Sequence, residues 1–400
     1  MAIIYDYEND LRVAQLSSKI KDELRIIYRK HLARAQSKTR ATTAILSFKT
    51  QRLRSLAIIS GLLDIIKHGK FEITSIYNLR EKHIEFLVNY WIKVKQLSPG
   101  TIANRVTYFQ GFTSWIGKGN LMQEVDKYAS MENLPKRSGV ATVDKSWAEK
   151  GIDPSELISK IAKHDPHVGI QLALQIAFGL RAEESRLLRP HDAVIKIKGD
   201  TYMMVSDGTK GGRPRRVEIE HDSQLSLIEL AKKLVNTRSK TTIPDRYETL
   251  AQWVNHYYYV IGKYGLTKKM LGVTSHGLRH EYLNNLYQEL TGKESAVRGG
   301  DLPENDILLI ARQIIAEHAG HSKISKANAY VGSHAVQRIQ ASKDLSDQDI
   351  LQAMTDCQQN KMKAALQLKC ARSYLYSRLK KIEESNQLQH ADNEPAPLLA

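Results

Sequence analysis

Between residues 194 and 219 the apolar residues stop recurring at three- and four-residue spacing and begin to alternate. Three short runs do this: Val194-Ile-Lys-Ile-Lys198, Thr201-Tyr-Met-Met-Val205 and Arg215-Arg-Val-Glu-Ile219. Alternation is the signature of a half-buried strand. Gly199-Asp200 separates the first two runs, a favourable hairpin turn. Gly208-Thr-Lys210-Gly-Gly212 separates the second from the third. The expectation is a small antiparallel sheet with Lys210 at one tip. Almost everything else reads as helix, so the fold class is mainly α with a small antiparallel sheet (α+β).

The organisation along the chain follows from where helical periodicity stops. Residues 1–40 read as a helical, basic N-terminal extension. From 41 to 120, Ile45, Phe48, Leu53, Leu56, Ile59 and Leu62 start a helical unit that Gly69 interrupts. A second helix carries Ile84, Phe86, Leu87, Tyr90 and Trp91, and Ser98-Pro99 caps a third with Ile102, Val106, Phe109, Phe112 and Trp115. Residues 121–150 lose the periodicity, contain Pro135-Lys-Arg-Ser-Gly139, and read as a linker between domains. A second domain spans 151–340. A separate helical piece occupies 345–385 with a break near Lys369, and 386–400, with Pro395 and Pro397, reads as a disordered end.

Charge narrows the partner. The net charge is +16 and the pI is about 9.5, which points to a polyanion or an anionic surface. From Lys21 to Arg54 there are ten Lys or Arg against Asp22 and Glu23, a pattern shared by a phosphate-facing surface and a solvated helix face. Lys49, Arg52 and Arg105 are candidate DNA contacts. Two cysteines, Cys357 and Cys370, provide no disulfide framework and fit a reducing compartment. The acidic N-terminus does not read as a secretory signal. Leu56–Ile66, the most apolar run, is too short to span a bilayer and contains Asp64. The chain is therefore expected in the cytoplasm, at the nucleoid, with no membrane partner.

Several polar residues form a chemical kit for attacking a phosphodiester with a phenol. They are Arg181, Lys210, His276, Arg279, His321 and Tyr330, in that order. The nonbridging oxygens gain charge in the five-coordinate transition state and need fixed cations beside them. Arginine's planar fork suits phosphate, so Arg181 and Arg279 are the candidates. The leaving oxygen needs a proton, which Lys210 on its hairpin can deliver. A phenol, with its ordinary pKa near 10, needs an acceptor or an electropositive site to ionise. His276 and His321 are the candidates, one near the attacking oxygen and one bracing the phosphate, and Tyr330 is the candidate nucleophile. His276, Arg279 and His280 stand at i, i+3 and i+4, on one face of a helix that Thr274 or Ser275 can cap. Gly320 ends the helix carrying Ile307, Ile310, Ile314 and Ile315, and Tyr330 follows on a short helix.

This joint order resembles the tyrosine recombinase (phage-type integrase) family. Gly179-Leu-Arg181-x-x-Glu184, with Leu188 and Asp192, is similar to the family's first catalytic box. Lys210 resembles its β-hairpin lysine, His276-x-Leu-Arg279-His280 its second box, and Gly320-His321-Ser with Tyr330 its last. More weakly, Leu97-Ser-Pro-Gly-Thr and Phe112-x-x-Trp115 resemble the helical core-binding domain. The resemblance implies a site-specific recombinase that forms a covalent 3′-phosphotyrosine and passes through a Holliday junction. It implies a homo-tetramer on paired double-stranded DNA sites, helped by an accessory DNA-bending factor. No ATP, metal or other cofactor is implied. Glu184 would brace the active-site histidine or arginine, with His280 in support. His164-Asp-Pro-His167 and His318-Ala-Gly-His321 could be ligand pairs, but no third and fourth ligands cluster with them in sequence.

The C-terminal piece resembles the helix-turn-helix of Fis and related regulators, through Asn360-Lys-x-Lys-Ala364-Ala365 and Arg372-Ser-Tyr-Leu375-Tyr376-Ser-Arg378-Leu379. Arg372, Ser373, Tyr374 and Arg378 would then face DNA. Lys369 stands where that family usually has glycine. The other reading is a basic helical hairpin that packs on a neighbouring protomer. For the whole chain two further readings stay open: a non-catalytic sequence-specific DNA-binding regulator, and a type IB topoisomerase with the same chemistry.

Overall fold

The structure is a computed structural model that describes residues 4–35, 45–123, 138–209, 212–337, 345–368, 370 and 372–391. It divides into two compact units, Met1–Arg137 and Ser138–Ala400.

The first unit is helical. Its elements are α1 (Glu8–Val13), α2 (Ser18–His31), α3 (Phe48–His68), α4 (Glu81–Asn89) and α5 (Pro99–Trp115). Ser17, Ser47 and Ser98 accept hydrogen bonds from the first turns of α2, α3 and α5, which fixes where each helix begins. One core holds Ile20, Leu24 and Tyr28 of α2 together with Ile58, Leu62 and Ile65 of α3, Trp91, and Phe109 and Phe112 of α5. Residues 4–35, expected as part of a basic extension, thus share the core of the helical unit. Charged residues cover the outer face of α2, and its apolar stripe at i, i+4 and i+8 is spent inside.

The second unit begins before its first helix. Trp147 is fully buried, its backbone N–H donates to Glu281 at 3.0 Å and its ring N–H to the Thr274 carbonyl at 2.9 Å. Ala141 donates to the Asn328 carbonyl at 2.8 Å. So 138–150, expected as linker, is built into the second unit; the remainder of that stretch, 124–137, lies outside the described residues.

Next come α6 (Pro154–His164), α7 (Pro166–Phe178), α8 (Ala182–Leu187) and α9 (Pro190–Ala193), then β1 (Val194–Ile197), β2 (Asp200–Val205) and β3 (Arg215–Glu218). They are followed by α10 (Asp222–Lys232), α11 (Leu250–Lys263), α12 (His276–Thr291), α13 (Asn305–His318) and α14 (Asn328–Val331). Asp165 caps α7 by accepting from Val168 at 3.0 Å, with Pro166 at the first helical position. Helix α7 is buried on two sides. Val168 and Leu172 join Trp253, Tyr257 and Leu278 in one core; Ile170, Leu174 and Phe178 join Met203, Val205 and Val217 of the sheet in another. The sheet is antiparallel in the order β1-β2-β3, as the alternation predicts. Its register pairs Ile197 with Asp200 and Val205 with Arg215.

At the C-terminal end, α15 (Asp347–Asp356), α16 (Lys361–Gln367) and α17 (Arg372–Ala391) enclose a core of their own, which includes Ile350, Met354, Ala365, Leu375 and Leu379. The break expected near Lys369 falls between α16 and α17, though Lys369 itself lies outside the described residues. A further break at Cys357–Asn360, which the periodicity does not signal, makes this a three-helix piece. Helix α17 continues to Ala391, past residue 386 where an irregular end is expected; 392–400 lie outside the described residues. No helix among the described residues is long and apolar enough to cross a membrane.

Candidate active site

The site is assembled by four chain breaks in the second unit. Helix α7 ends at Gly179, whose φ of +59° turns the chain so that its carbonyl accepts from Arg279 and Arg181 follows at once. Helix α12 opens on His276. Ser275 occupies the cap position without accepting a side-chain bond, and the first turn is closed instead by Gly277 on the Thr274 carbonyl at 2.8 Å. Helix α13 ends through Gly320 (φ +62°), with His321 N–H on the Ala316 carbonyl at 2.8 Å. Helix α14 carries Tyr330.

Tyr330 is buried. Its hydroxyl accepts from Arg279 Nε at 3.2 Å and lies 3.4 Å from His321 Nε2. The Arg279 guanidinium carbon sits 5.2 Å from the centre of the Tyr330 ring. The rings of His276 and His280 lie 6.3 and 5.0 Å from it, centre to centre. The i, i+3, i+4 spacing on α12 therefore does bring all three residues to the tyrosine.

Arg279 has no exposed surface. Its two terminal nitrogens donate to the carbonyls of Gly179 and Ala319. Arg181 donates to the same Ala319 carbonyl at 2.8 Å and to Glu184 Oε1 at 2.6 Å. Glu184, fully buried, also accepts from the Arg181 backbone at 2.7 Å. Its side-chain hydrogen bonds are accepted from arginines, Arg181 and Arg215.

The electrostatics follow from burial and crowding of cations. Burial lowers His276 to about 4, reinforced by the charges of Arg279, Arg181 and Lys145. Burial lowers His280 to about 3, with His276 and Lys145 adding to it. Both rings are neutral at pH 7. Burial likewise lowers Arg279 to about 10, so it stays charged. For Glu184 burial pushes upward, but hydrogen bonds and charge from Arg215, then Arg279 and Arg181, prevail and hold it at about 2. Three guanidinium groups against one carboxylate leave a net positive charge at the site.

Sequence reasoning missed Arg215. It is buried on β3, and its fork donates to both oxygens of Glu184 at 2.7 Å each. The signal was present: Val217 faces inward, so strand alternation also turns Arg215 inward. Lys210 lies outside the described residues. Among the described residues no group of three or more His, Cys, Asp or Glu side chains converges as a metal set.

The DNA-contact candidates divide. Lys49 and Arg52 are exposed on the first turns of α3. Arg105 is turned inward, its guanidinium 5.3 Å from the Trp91 ring centre and 4.0 Å from Asp64, so it is occupied within the first unit's interior. On α17, Arg372 is exposed, Tyr374 packs against the tail core, and Arg378 is ion-paired with Asp347. The Ser373 side chain lies outside the described residues.

The sequence profile of the Integrase family matches residues 141–285. That stretch holds Arg181, Glu184, Arg215, His276, Arg279 and His280, whereas His321 and Tyr330 lie beyond it. Solved structures similar to the chain include the XerH site-specific recombinase bound to difH substrate (pre-cleavage complex). It is 16% identical, with a TM-score of 0.45, over 75% of this chain and 80% of that one. A lambda integrase dimer bound to a COC′ core site is 15% identical, with a TM-score of 0.47, over 77% and 94%. The Tn1549 transposon integrase in complex with circular intermediate DNA is 15% identical, with a TM-score of 0.45, over 80% and 98%. No curated protein matches the chain.

Proposed function

We propose that the chain is a site-specific DNA recombinase that cuts and rejoins double-stranded DNA with Tyr330 as nucleophile. One set of contacts carries this reading: Arg279 and His321 of the same chain both reach the Tyr330 hydroxyl, and Arg181 shares an acceptor with Arg279. A phenol held by a guanidinium and a ring nitrogen, with a second guanidinium on the neighbouring turn, is suited to attack on phosphorus. A buried structural tyrosine does not need that company.

The phenol oxygen forms the new bond to phosphorus, and its proton passes to His321. The bond from phosphorus to the 5′-oxygen breaks, and Lys210 supplies the proton to that oxygen. Arg181 and Arg279 stabilise the charge on the nonbridging oxygens, and neutral His276 donates a hydrogen bond to the phosphate. The product is a 3′-phosphotyrosine with a free 5′-hydroxyl. A 5′-hydroxyl of another strand reverses the step, without ATP or metal, and exchange proceeds through a Holliday junction in a tetramer on paired sites. Helices α15–α17 act as a helix-turn-helix that adds DNA contacts through Arg372.

The test is covalent capture. Wild-type protein is mixed with sheared DNA from the source genome, quenched in SDS, and the adducts are precipitated with potassium. Specific fragments joined to protein are expected, and Tyr330→Phe abolishes them. Relaxation of any supercoiled plasmid without site preference would favour a type IB topoisomerase. Tight binding with no adduct from wild type would leave a DNA-binding regulator.

A further inference from the structure

Glu184 is the hub of the site, and its strongest partner is neither of the two arginines assigned to the phosphate. Arg215 meets it fork to fork at 2.7 Å on each oxygen, the bidentate geometry in which a guanidinium satisfies a carboxylate most fully. Arg181 makes one side-chain contact to the same carboxylate, and the nearest Arg279 nitrogen stands 3.8 Å away. Arg215 is anchored on the inward face of β3, opposite Val205. It also lines the floor under Gly320: a methyl group added there would lie 3.3 Å from Arg215 Cδ and 3.5 Å from Arg181 Nη1. The guanidiniums of Arg181 and Arg215 therefore flank the turn that presents His321.

We propose that Arg215 is a positioning residue that neutralises Glu184, so that Arg181 and Arg279 keep their charge for the scissile phosphate. The inference rests on the recombinase reading above and deepens it. Without Arg215, an unscreened buried carboxylate draws both phosphate-binding guanidiniums onto itself, and the pocket loses anion affinity when the transition state needs it most. With Arg215 in place, the carboxylate orients Arg181 without consuming it. The residue touches no substrate and acts through its partner.

The experiment compares wild type, Arg215→Gln, Arg215→Lys and the double variant Arg215→Gln/Glu184→Gln. The first readout is the single-turnover rate of adduct formation on a captured DNA site at saturating protein. Arg215→Gln is expected to slow it by about 10²–10³-fold, with DNA affinity held within about threefold because one buried side chain leaves the phosphate-facing surface intact. Arg215→Lys keeps the charge but not the fork and should fall between. The double variant removes the stranded carboxylate and should recover at least about tenfold over Arg215→Gln. A purely structural arginine predicts the opposite, a double variant no faster than the single. The second readout needs no cleavage: calorimetric affinity for orthovanadate should drop in Arg215→Gln and return in the double variant. A vanadate pattern without recovery overturns the role of Arg215. The expected vanadate pattern together with no adduct from wild type supports the charge balance and rejects the recombinase reading instead.

Discussion

Arg181 and Arg279 donate to one acceptor, the carbonyl of Ala319, so one cation from the cap of α8 and one from α12 are held side by side on the turn that presents His321. They are not equally embedded. The Arg279 side chain is fully buried, and that of Arg181 keeps 19% exposure. Removing Arg279 strands the buried Gly179 carbonyl, takes one of two donors from that of Ala319 and one from the Tyr330 hydroxyl, and should cost about 2–5 kcal/mol of stability. Arg181→Ala leaves Ala319 its other donor and should cost about 1–2 kcal/mol. Both should lose cleavage by several orders of magnitude while retaining DNA binding, because each acts mainly in the transition state. Denaturant midpoints check the first statement and adduct kinetics the second. Equal destabilisation by the two substitutions would contradict the burial difference.

Gly320 lies against Arg215 and Arg181. Its φ of +62° is strained for any side chain, and an added methyl would crowd Arg215 and touch Arg181. Gly320→Ala is expected to cost about 1 kcal/mol and to slow adduct formation by about tenfold or more through displaced guanidiniums. A variant as fast as wild type would show that the turn tolerates the shift, and with it that the arginine geometry is not critical.

Much of this site is legible in the amino-acid sequence. The i, i+3, i+4 placement of His276, Arg279 and His280 follows from helix geometry, and the alternating runs gave all three strands. What stayed hidden was long-range. Nothing local to Trp147 says that it is buried under Thr274 and Glu281, so 138–150 read as linker. The apolar stripe of α2 was visible, but whether it met its own core or that of α3 and α5 depends on packing. Arg215 was given no role because a buried arginine is uncommon, and Arg105 read as a phosphate contact because arginine is usually exposed. In both cases a buried carboxylate, Glu184 or Asp64, drew the guanidinium inward.

Acid should loosen the second unit in two stages. His276, His280 and His318 have folded values of about 4, 3 and 4, all below the ordinary histidine value of 6.5, with burial as the main cause. The unfolded chain therefore binds more protons, and the histidine contribution, fully present above about pH 6.5, is lost as pH falls toward 4. Glu184, lowered from 4.5 to about 2, adds a second loss only below about pH 4.5. Thermal melts at pH 7.5, 6, 5 and 4 should show a progressive drop that begins near 6.5. Replacing His280 with Asn should flatten the upper part of that curve. A melting temperature constant from pH 7.5 to 5 would mean that these rings are not buried neutral in solution.

The tail offers a test that separates its two readings. Helices α15–α17 close on their own core, so deleting residues 345–400 should leave adduct chemistry intact and change affinity or site choice. Arg378, a candidate base or phosphate contact, is held by Asp347 across the bundle. An exposed pair of this kind contributes little to stability, about 0–1 kcal/mol, so Asp347→Ala should fold normally and release the guanidinium. On DNA a released cation that meets a phosphate steepens the dependence of log K on log salt by about one unit and tightens binding at low salt. If Asp347→Ala and the tail deletion both leave affinity and salt slope unchanged, while the deletion prevents assembly on paired sites, the bundle packs on a neighbouring protomer and does not enter a groove.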